Sequence, residues 1–275
     1  VATAVHLDHV RKPEFKGAYF KQTADIDLGL TPWNDGAGWV PIQHPDNAFG
    51  PGFSGTYDGG GFVIRGLTID RGAGTGGINA GLFGRILPGG TIVNVHIRDA
   101  SIIQNTDDPA GILAGTNEGS ISYCSTGGSV QGKKFVGGLV GRSGKSGEIT
   151  NATITDSYST ASISPDPDLI SASYFGGLAG VVHQGTEVIN CYSAGSVETG
   201  PSATILGGLI GSSSGTVTFS YYDSQVSGRS DDSGKGVPRT TEEMKNQETY
   251  TVWNFDSVWG MNGGYPYLRN QRNIT

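Results

Sequence analysis

At 275 residues with 36% hydrophobic side chains, the chain has ample material for a core, which excludes disorder and allows one large all-β domain or two ordinary ones. Its 46 glycines exceed twice the usual share of about 7%, but they follow no every-third-residue period, so a collagen-like rod is excluded too. A net charge of −7 keeps the chain soluble and repels a nucleic-acid backbone, and no run of ~18 apolar residues is present to span a bilayer.

The opening VATAVHLDHVRKPEF lacks the apolar centre of a signal peptide, so the chain reads as a mature form or an excised domain. Residues 2–11, with Val5, Leu7 and His9 at mixed spacing, predict a short helix stopped by Pro13. In DIDL, alternation turns Ile26 and Leu28 inward and Asp25 and Asp27 outward. FVIRGLTID (62–70) reads as a strand, and the GAGTGG after it (72–77) satisfies the dinucleotide pattern G-x-G-x-x-G. That pattern needs a helix immediately afterwards to hold the pyrophosphate; here INAGLFG follows, so a flexible loop is the reading.

A repeat then takes over. AGLFG (80–84), AGILAG (110–115), GGLVG (137–141), GGLAG (176–180) and GGLIG (207–211) are five copies of one motif, spaced 30, 27, 39 and 31 residues apart. Each is followed by further apolar pulses, such as TITDSYSTASIS (153–164) and EVINCYSAGSVE (187–198), with no helical periodicity between them. About three short strands per unit predict a single-stranded parallel β-helix, each coil lying ~4.8 Å from the next. Leu82, Ile112, Leu139, Leu178 and Leu209 should stack as an internal ladder, followed by Phe83, Leu113, Val140, Ala179 and Ile210. The flanking glycines mark tight turns and close approach of the neighbouring backbone.

Past the repeats, TTEEMKNQETY (240–250) has Thr240 or Thr241 as an N-cap, with acidic residues in the first turn. Trp253, Phe255, Trp259, Tyr265 and Tyr267 are read as a plug on the last coil, with a carbohydrate platform as the alternative. The chain thus divides into an N-terminal cap and first coils (1–79), five repeats (80–228) and a C-terminal cap (229–275), one continuous domain. With both ends capped, a monomer is expected.

Chemistry-bearing constellations are scarce. A polysaccharide hydrolase needs paired carboxylates on one face; the candidates are Asp25, Asp27 and Asp58, although Asp58 in TYDGGG also suits an Asx turn. Asp107 with Asp108 and Asp231 with Asp232 sit in Gly/Ser/Pro-rich loops, without the spacing of a calcium loop. His6, His9, His44, His96 and His183 form no metal-binding spacing, and no G-x-S-x-G elbow occurs. No cofactor or catalytic metal is expected, and structural calcium has no supporting motif. Aligning STG (125–127) with SAG (193–195) sets Cys124 and Cys191 on opposite faces two coils apart, so two free thiols are expected.

GGLVG followed by a polar loop, a strand and an NSYSxG-like segment resembles the GLUG-motif repeats of bacterial surface proteins. Upstream, FKQTADIDL (20–28), WVPIQ (39–43) and FSGTYDGGGFVIRGLTI (53–69) look like the segment that precedes such repeats, departing from it at Gln43, Gly60 and Phe62. Downstream, residues 240–268 look like their closing segment. The resemblance implies an extracellular or cell-surface location and an adhesin-like or accessory role, since similar regions occur beside IgA-peptidase-like domains of secreted proteins. It carries no shared catalytic motif.

Insertions in a solenoid gather on one edge. Here the inter-repeat segments NTDDPA (105–110), QGKKF (131–135), SPDPDLISASY (164–174) and ETGPSATI (198–205) vary while the strands stay regular. Lys133, Lys134, Arg142 and Lys145 form a basic cluster in an acidic chain, suited to an anionic glycan or an acidic protein surface. Leu169 and Ile170 expose apolar surface unless their loop folds back. The expected role is a non-catalytic binding or adhesive module for a host or matrix protein or an extracellular glycan. A polysaccharide hydrolase or lyase with a β-helical groove is the first alternative, and a structural spacer the second.

Overall fold

Strands only a few residues long, each ended by a corner, cannot pair with their neighbours in sequence; they pair instead with the equivalent strand one repeat away. The computed structural model describes residues 1–43, 51–72, 77–169, 173–200, 204–231 and 233–272, and the strands of its coils do this, whereas Trp259–Gly260 and Tyr267–Leu268 form a separate antiparallel pair. A seven-stranded parallel sheet runs through Tyr19–Lys21, Thr56–Asp58, Thr91–Val93, Ser120–Ser122, Thr153–Thr155, Glu187–Ile189 and Thr216–Thr218. A ten-stranded sheet, from Ile26–Asp27 to Val237–Arg239, lies one corner further along each coil. The fold is a parallel β-solenoid.

The repeated motif supplies two more sheets. Phe135–Gly137 pairs with Ser173–Gly176, and Val140–Ser143 with Ala179–Val182, so the Gly-Leu corner inside GGLVG divides one strand of the sequence reading into two. Across this corner backbone meets backbone. A Cβ at Gly137 would lie 2.1 Å from the Val140 carbonyl oxygen and 2.7 Å from Ala179 Cα. At Gly138 the constraint comes from inside, where Thr126 Oγ1 donates to the Gly138 carbonyl (2.9 Å) and Ser159 fills the space a side chain would need. Leu139 and Val140 are fully buried just past the corner.

The core is a set of ladders. Tyr57, Ile92, Ile121, Ile154 and Val188 stand in register on the seven-stranded sheet, all at 0% exposure. The five motif leucines and isoleucines are buried as expected, but Ala114, not Leu113, stands in register with Phe83 and Val140. AGILAG carries one more residue at its corner than the other copies. The corner leading into the ten-stranded sheet repeats as well: Asn94, Tyr123, Asp156, Asn190 and Phe219 all have φ between 43° and 57°. Asn and Asp tolerate this left-handed conformation, whereas Tyr and Phe adopt it rarely.

Both poles are covered. At one, Thr3 caps the helix Ala4–His9, which inserts Leu7, followed by Val10, into the core. At the other, residues 228–231 and 233–236 lie over the last coil: Asp231 O accepts from Tyr222 Oη (2.8 Å), and Gly236 lies against Leu209. The C-terminal aromatics therefore do not plug this pole. After a capping box at Thr240 and Glu243 and the helix Thr241–Met244, the chain turns back along the flank. Trp253 Nε1 donates to Phe219 O (2.9 Å), Trp259 Nε1 to Asp156 Oδ1 (3.1 Å), Asn270 Nδ2 to Asn94 Oδ1 (2.6 Å), and Arg272 N to Gly61 O (2.7 Å). This strap crosses the coils in reverse order and buries the outer tyrosines Tyr158, Tyr192 and Tyr221, which are in register.

Cys124 and Cys191 also depart from expectation. Ser125 is in register with Tyr158 and Tyr158 with Tyr192, so the two cysteines hold the same position of their coils, both buried, rather than opposite faces. The STG-to-SAG alignment was one residue out. Ser157 stands between them: its Oγ accepts from Cys124 N (3.1 Å). Two strand spacings, ~9–10 Å, exceed disulfide reach, and both thiols are free. Burial raises the Cys124 thiol to about 12 and Cys191 higher still. Native protein should therefore resist alkylation, and mass spectrometry after unfolding should show two alkyl groups; a mass two daltons light without reductant would mean a disulfide.

His96 gives the fold a pH dependence. It is fully buried; Nδ1 meets Ser125 Oγ at 2.8 Å, and Nε2 has no hydrogen-bond partner. Burial, with Arg98 adding to it, lowers its pKa to about 3, whereas the unfolded chain takes up the proton near 6.5. Between those values the unfolded state holds more protons, so stability drops as the pH is lowered, by up to ~1.4 kcal/mol per unit. Urea titrations from about pH 6.5 downward should show this loss, and His96→Gln should flatten it; an unchanged slope would assign the acid lability to other groups.

Candidate functional site

The two sheets that meet at the glycine corner form the walls of a groove. Alternation turns Val136 and Phe175 inward and leaves Phe135, Tyr174 and Ile205 in an outward ladder, joined by the registers of their strands. On the other wall Arg142, Val181 and Ser212 are in register. The cleft measures about 520 Å³ and spans three successive coils through Arg142, Val181 and Ser212, with Lys134 and His183 also lining it. The Phe135 and Tyr174 rings stack in parallel, their centroids 5.7 Å apart at 5°.

The electrostatics of the cleft are one-sided. Among the described residues none of those lining it is acidic. Asp107 holds Lys134 at 3.3 Å, and Arg85 takes Glu118 through both carboxylate oxygens, at 2.7 and 3.0 Å. Arg142 is left without a salt bridge or hydrogen bond among the described residues, and its Nε is buried. Burial lowers the Arg142 pKa, Glu118 opposes that, and Arg85 adds to it; a guanidinium remains a cation regardless. Burial and then Arg142 lower His183, so its imidazole is neutral at pH 7.

Of the residues singled out by sequence, Lys134 and Arg142 meet in this groove. Lys145 pairs with Glu148 at 2.5 Å and lines an adjoining hollow with Arg85 and Glu118. Lys133 is half-buried outside the lining, its carbonyl accepting from Ser173 Oγ. The side chain of Leu169 belongs to the core at 5% exposure, so its loop folds back; Ile170 lies outside the described residues. The stacked pair Phe135 and Tyr174 went unread. Its signal is positional: both stand two residues before the first glycine of a GGL motif.

The three carboxylates proposed for hydrolysis are occupied locally. Asp25 Oδ1 accepts from Val63 N (2.8 Å), and Asp27 Oδ1 from Gly29 N (2.8 Å). Asp58 Oδ1 accepts from Gly60 N and Asn94 Nδ2, and Oδ2 from Tyr19 Oη. Burial would raise Asp58, but these hydrogen bonds and Lys21 outweigh it and hold its pKa below the ordinary carboxylate range. Asp58 belongs to the seven-stranded sheet and Asp27 to the ten-stranded one, each ending a strand at an Asx turn. Asp108 accepts from Gly77 N and Thr106 Oγ1, Asp231 pairs with Lys235, and Asp232 lies outside the described residues. Among the described residues no group of three or more His, Cys, Asp or Glu is placed to hold a metal. Of GAGTGG, residues 73–76 are not described, and the next element is the strand Phe83–Ile86, not a helix.

Residues 171–198, the fourth motif copy with its following strands, match the family described as the GLUG motif. The chain therefore carries the GLUG motif within a parallel β-solenoid. It is 35% identical to halomucin of Haloquadratum walsbyi over 137 residues, covering 49% of this chain and 1% of that protein. It is 27% identical to a "Putative Gly-rich membrane protein" of Evansella cellulosilytica over a 391-residue alignment, covering 97% of this chain and 44% of the relative. It thus spans less than half the length of either relative. Among solved structures, a "putative immunoglobulin A1 protease" from Bacteroides ovatus superposes with a TM-score of 0.67 at 21% identity, covering 98% of this chain and 91% of that one. A second, titled "IgA1 Protease", has a TM-score of 0.61 at 15% identity, covering 88% of this chain and 17% of that one. These two likenesses concern the fold. Among the described residues no helix is long and apolar enough to cross a membrane, which says nothing of strands.

Proposed function

We propose that this chain is a non-catalytic binding module of a cell-surface or secreted protein, and that its binding surface is the groove between Phe135–Tyr174 and Arg142–Val181. The observation that carries this reading is the stacked aromatic pair facing an arginine without an ion partner, on the wall of an open cleft. The rings offer apolar surface, the serines Ser146, Ser212 and Ser214 line the same cleft as hydroxyl partners, and a cleft that spans three successive coils suits an extended chain. The names of the relatives, halomucin and a "Putative Gly-rich membrane protein", support a surface location. Three carboxylates committed to local backbone bonds favour binding over hydrolysis.

Screening the protein on a glycan array and an extracellular-matrix panel should reveal glycan ligands. The double substitution of Phe135 and Tyr174 by alanine should weaken them tenfold or more, ~1.4 kcal/mol. Ligands bound equally by wild type and variant would remove the groove from the binding surface. Polysaccharide turnover abolished by Asp25→Asn or Asp58→Asn would replace binding with catalysis.

A further inference from the structure

Resting on the reading of this groove as a glycan site, we infer that its ligand is an anionic sugar chain, one bearing carboxylates or sulfate esters, whose charge is received by Arg142 while its apolar ring faces stack on Phe135 and Tyr174. Around this cleft the described acids are taken by cations other than Arg142. Glu118 is held by Arg85, Glu148 by Lys145, and Asp107 by Lys134. Arg142 alone faces the cleft without an ion pair, partly withdrawn from water, its Nε without a hydrogen bond. A guanidinium so placed matches the planar fork of a carboxylate or three-oxygen face of a sulfate ester better than it matches a neutral hydroxyl. Reduced solvent around it strengthens the attraction and penalises leaving it unpaired.

The opposite wall argues for a sugar rather than a peptide. The Phe135 and Tyr174 rings are one coil apart and stack in parallel, giving the wall a continuous aromatic step from one coil to the next, and Lys134 Nζ lies 5.7 Å from the Phe135 centroid. An extended chain lying along the groove therefore meets an aromatic face, a cation and serine hydroxyls within successive coils. An acidic peptide would use the cations and gain little from two stacked rings.

The test compares an oligogalacturonate with its methyl ester, which keeps the sugar skeleton and removes the charge, by calorimetry in about 0.15 M salt to screen diffuse attraction. The free acid should bind at least tenfold tighter. Arg142→Gln should reduce it to the level of the ester, Arg142→Lys should keep part of the difference, and Lys12→Gln, far from the cleft, should change nothing. Unfolding midpoints of all variants report whether the fold is intact. Preference for a sulfated galacto-oligosaccharide with the same Arg142 dependence supports the inference and identifies sulfate as the source of charge. Equal binding of acid and ester, still lost in Tyr174→Ala, overturns it while leaving the groove a glycan site. Tight binding of the acid unaffected by Arg142→Gln also overturns it, as does poly-glutamate binding equally well through Arg142. If neither sugar binds and the alanine variants alter nothing on the array, the glycan reading falls and this one with it.

Discussion

Replacing Trp259 with alanine is expected to lower the unfolding free energy by about 3–5 kcal/mol, the range for a fully buried large aromatic. The indole is 0% exposed and stacks on Trp253 at 4.4 Å between centroids, with Tyr158 and Tyr192 also within ring contact. Its Nε1 donates to Asp156 at one of the left-handed corners, where burial already raises the carboxyl pKa. Alanine both opens a cavity under the strap and takes a hydrogen bond from a half-buried acid. Trp259→Phe keeps most of the apolar contact and should fall between the two. Urea unfolding followed by tryptophan fluorescence and far-ultraviolet circular dichroism reads the loss. A midpoint unchanged in Trp259→Ala would show that the strap adds nothing to the cooperative fold.

The second large effect is expected at Gly137. Alanine there places a methyl group 2.1 Å from the Val140 carbonyl and 2.7 Å from Ala179 Cα, both main-chain atoms of neighbouring strands that cannot swing away. Overpacking typically costs about 1–3 kcal/mol when side chains can adjust; here two backbones must part, so the loss should reach or exceed the top of that range. Gly72→Ala is the matched control, because among the described residues a Cβ at Gly72 meets nothing within 4 Å and φ there is not left-handed. It should be neutral or slightly stabilising, by less than ~1 kcal/mol. Equal midpoints for the two variants would mean that the corner yields, and the physical explanation of the motif's glycines would fail.

The difference between those glycines marks what a reader of sequence can reach. Five copies of the motif revealed the coil, because a solenoid repeats its inward ladder at nearly constant spacing and Leu139 or Leu178 must return to the same place. One-residue questions were out of reach. The extra residue in AGILAG and the phase of Cys124 depend on how tightly a corner turns, and hydrophobic periodicity says nothing of that. The basic half of the groove was visible because Lys134 and Arg142 break the acid bias. The aromatic half was hidden by the 39-residue step between the copies at Gly138 and Gly177, which obscures that Phe135 and Tyr174 become neighbours. The strap was hidden more completely. Its contacts join residues 103 and 176 positions apart through single hydrogen bonds, and a cluster of tryptophans near the chain's end looks the same whether it closes a pole or lies along a flank.

The strap also decides where the polypeptide leaves the molecule. Val1 donates to Lys21 O in the first coil, and Arg272 reaches Gly60 and Gly61 in the second, so both described ends emerge at the same pole. A rod with its ends at opposite poles lengthens whatever it is inserted into. This one would do otherwise: within a longer polypeptide it would project sideways as a finger, with Asp231 and Gly236 at its tip. Tension along such a chain would pass through the base alone, leaving the outer coils and the Tyr174 side of the groove unloaded.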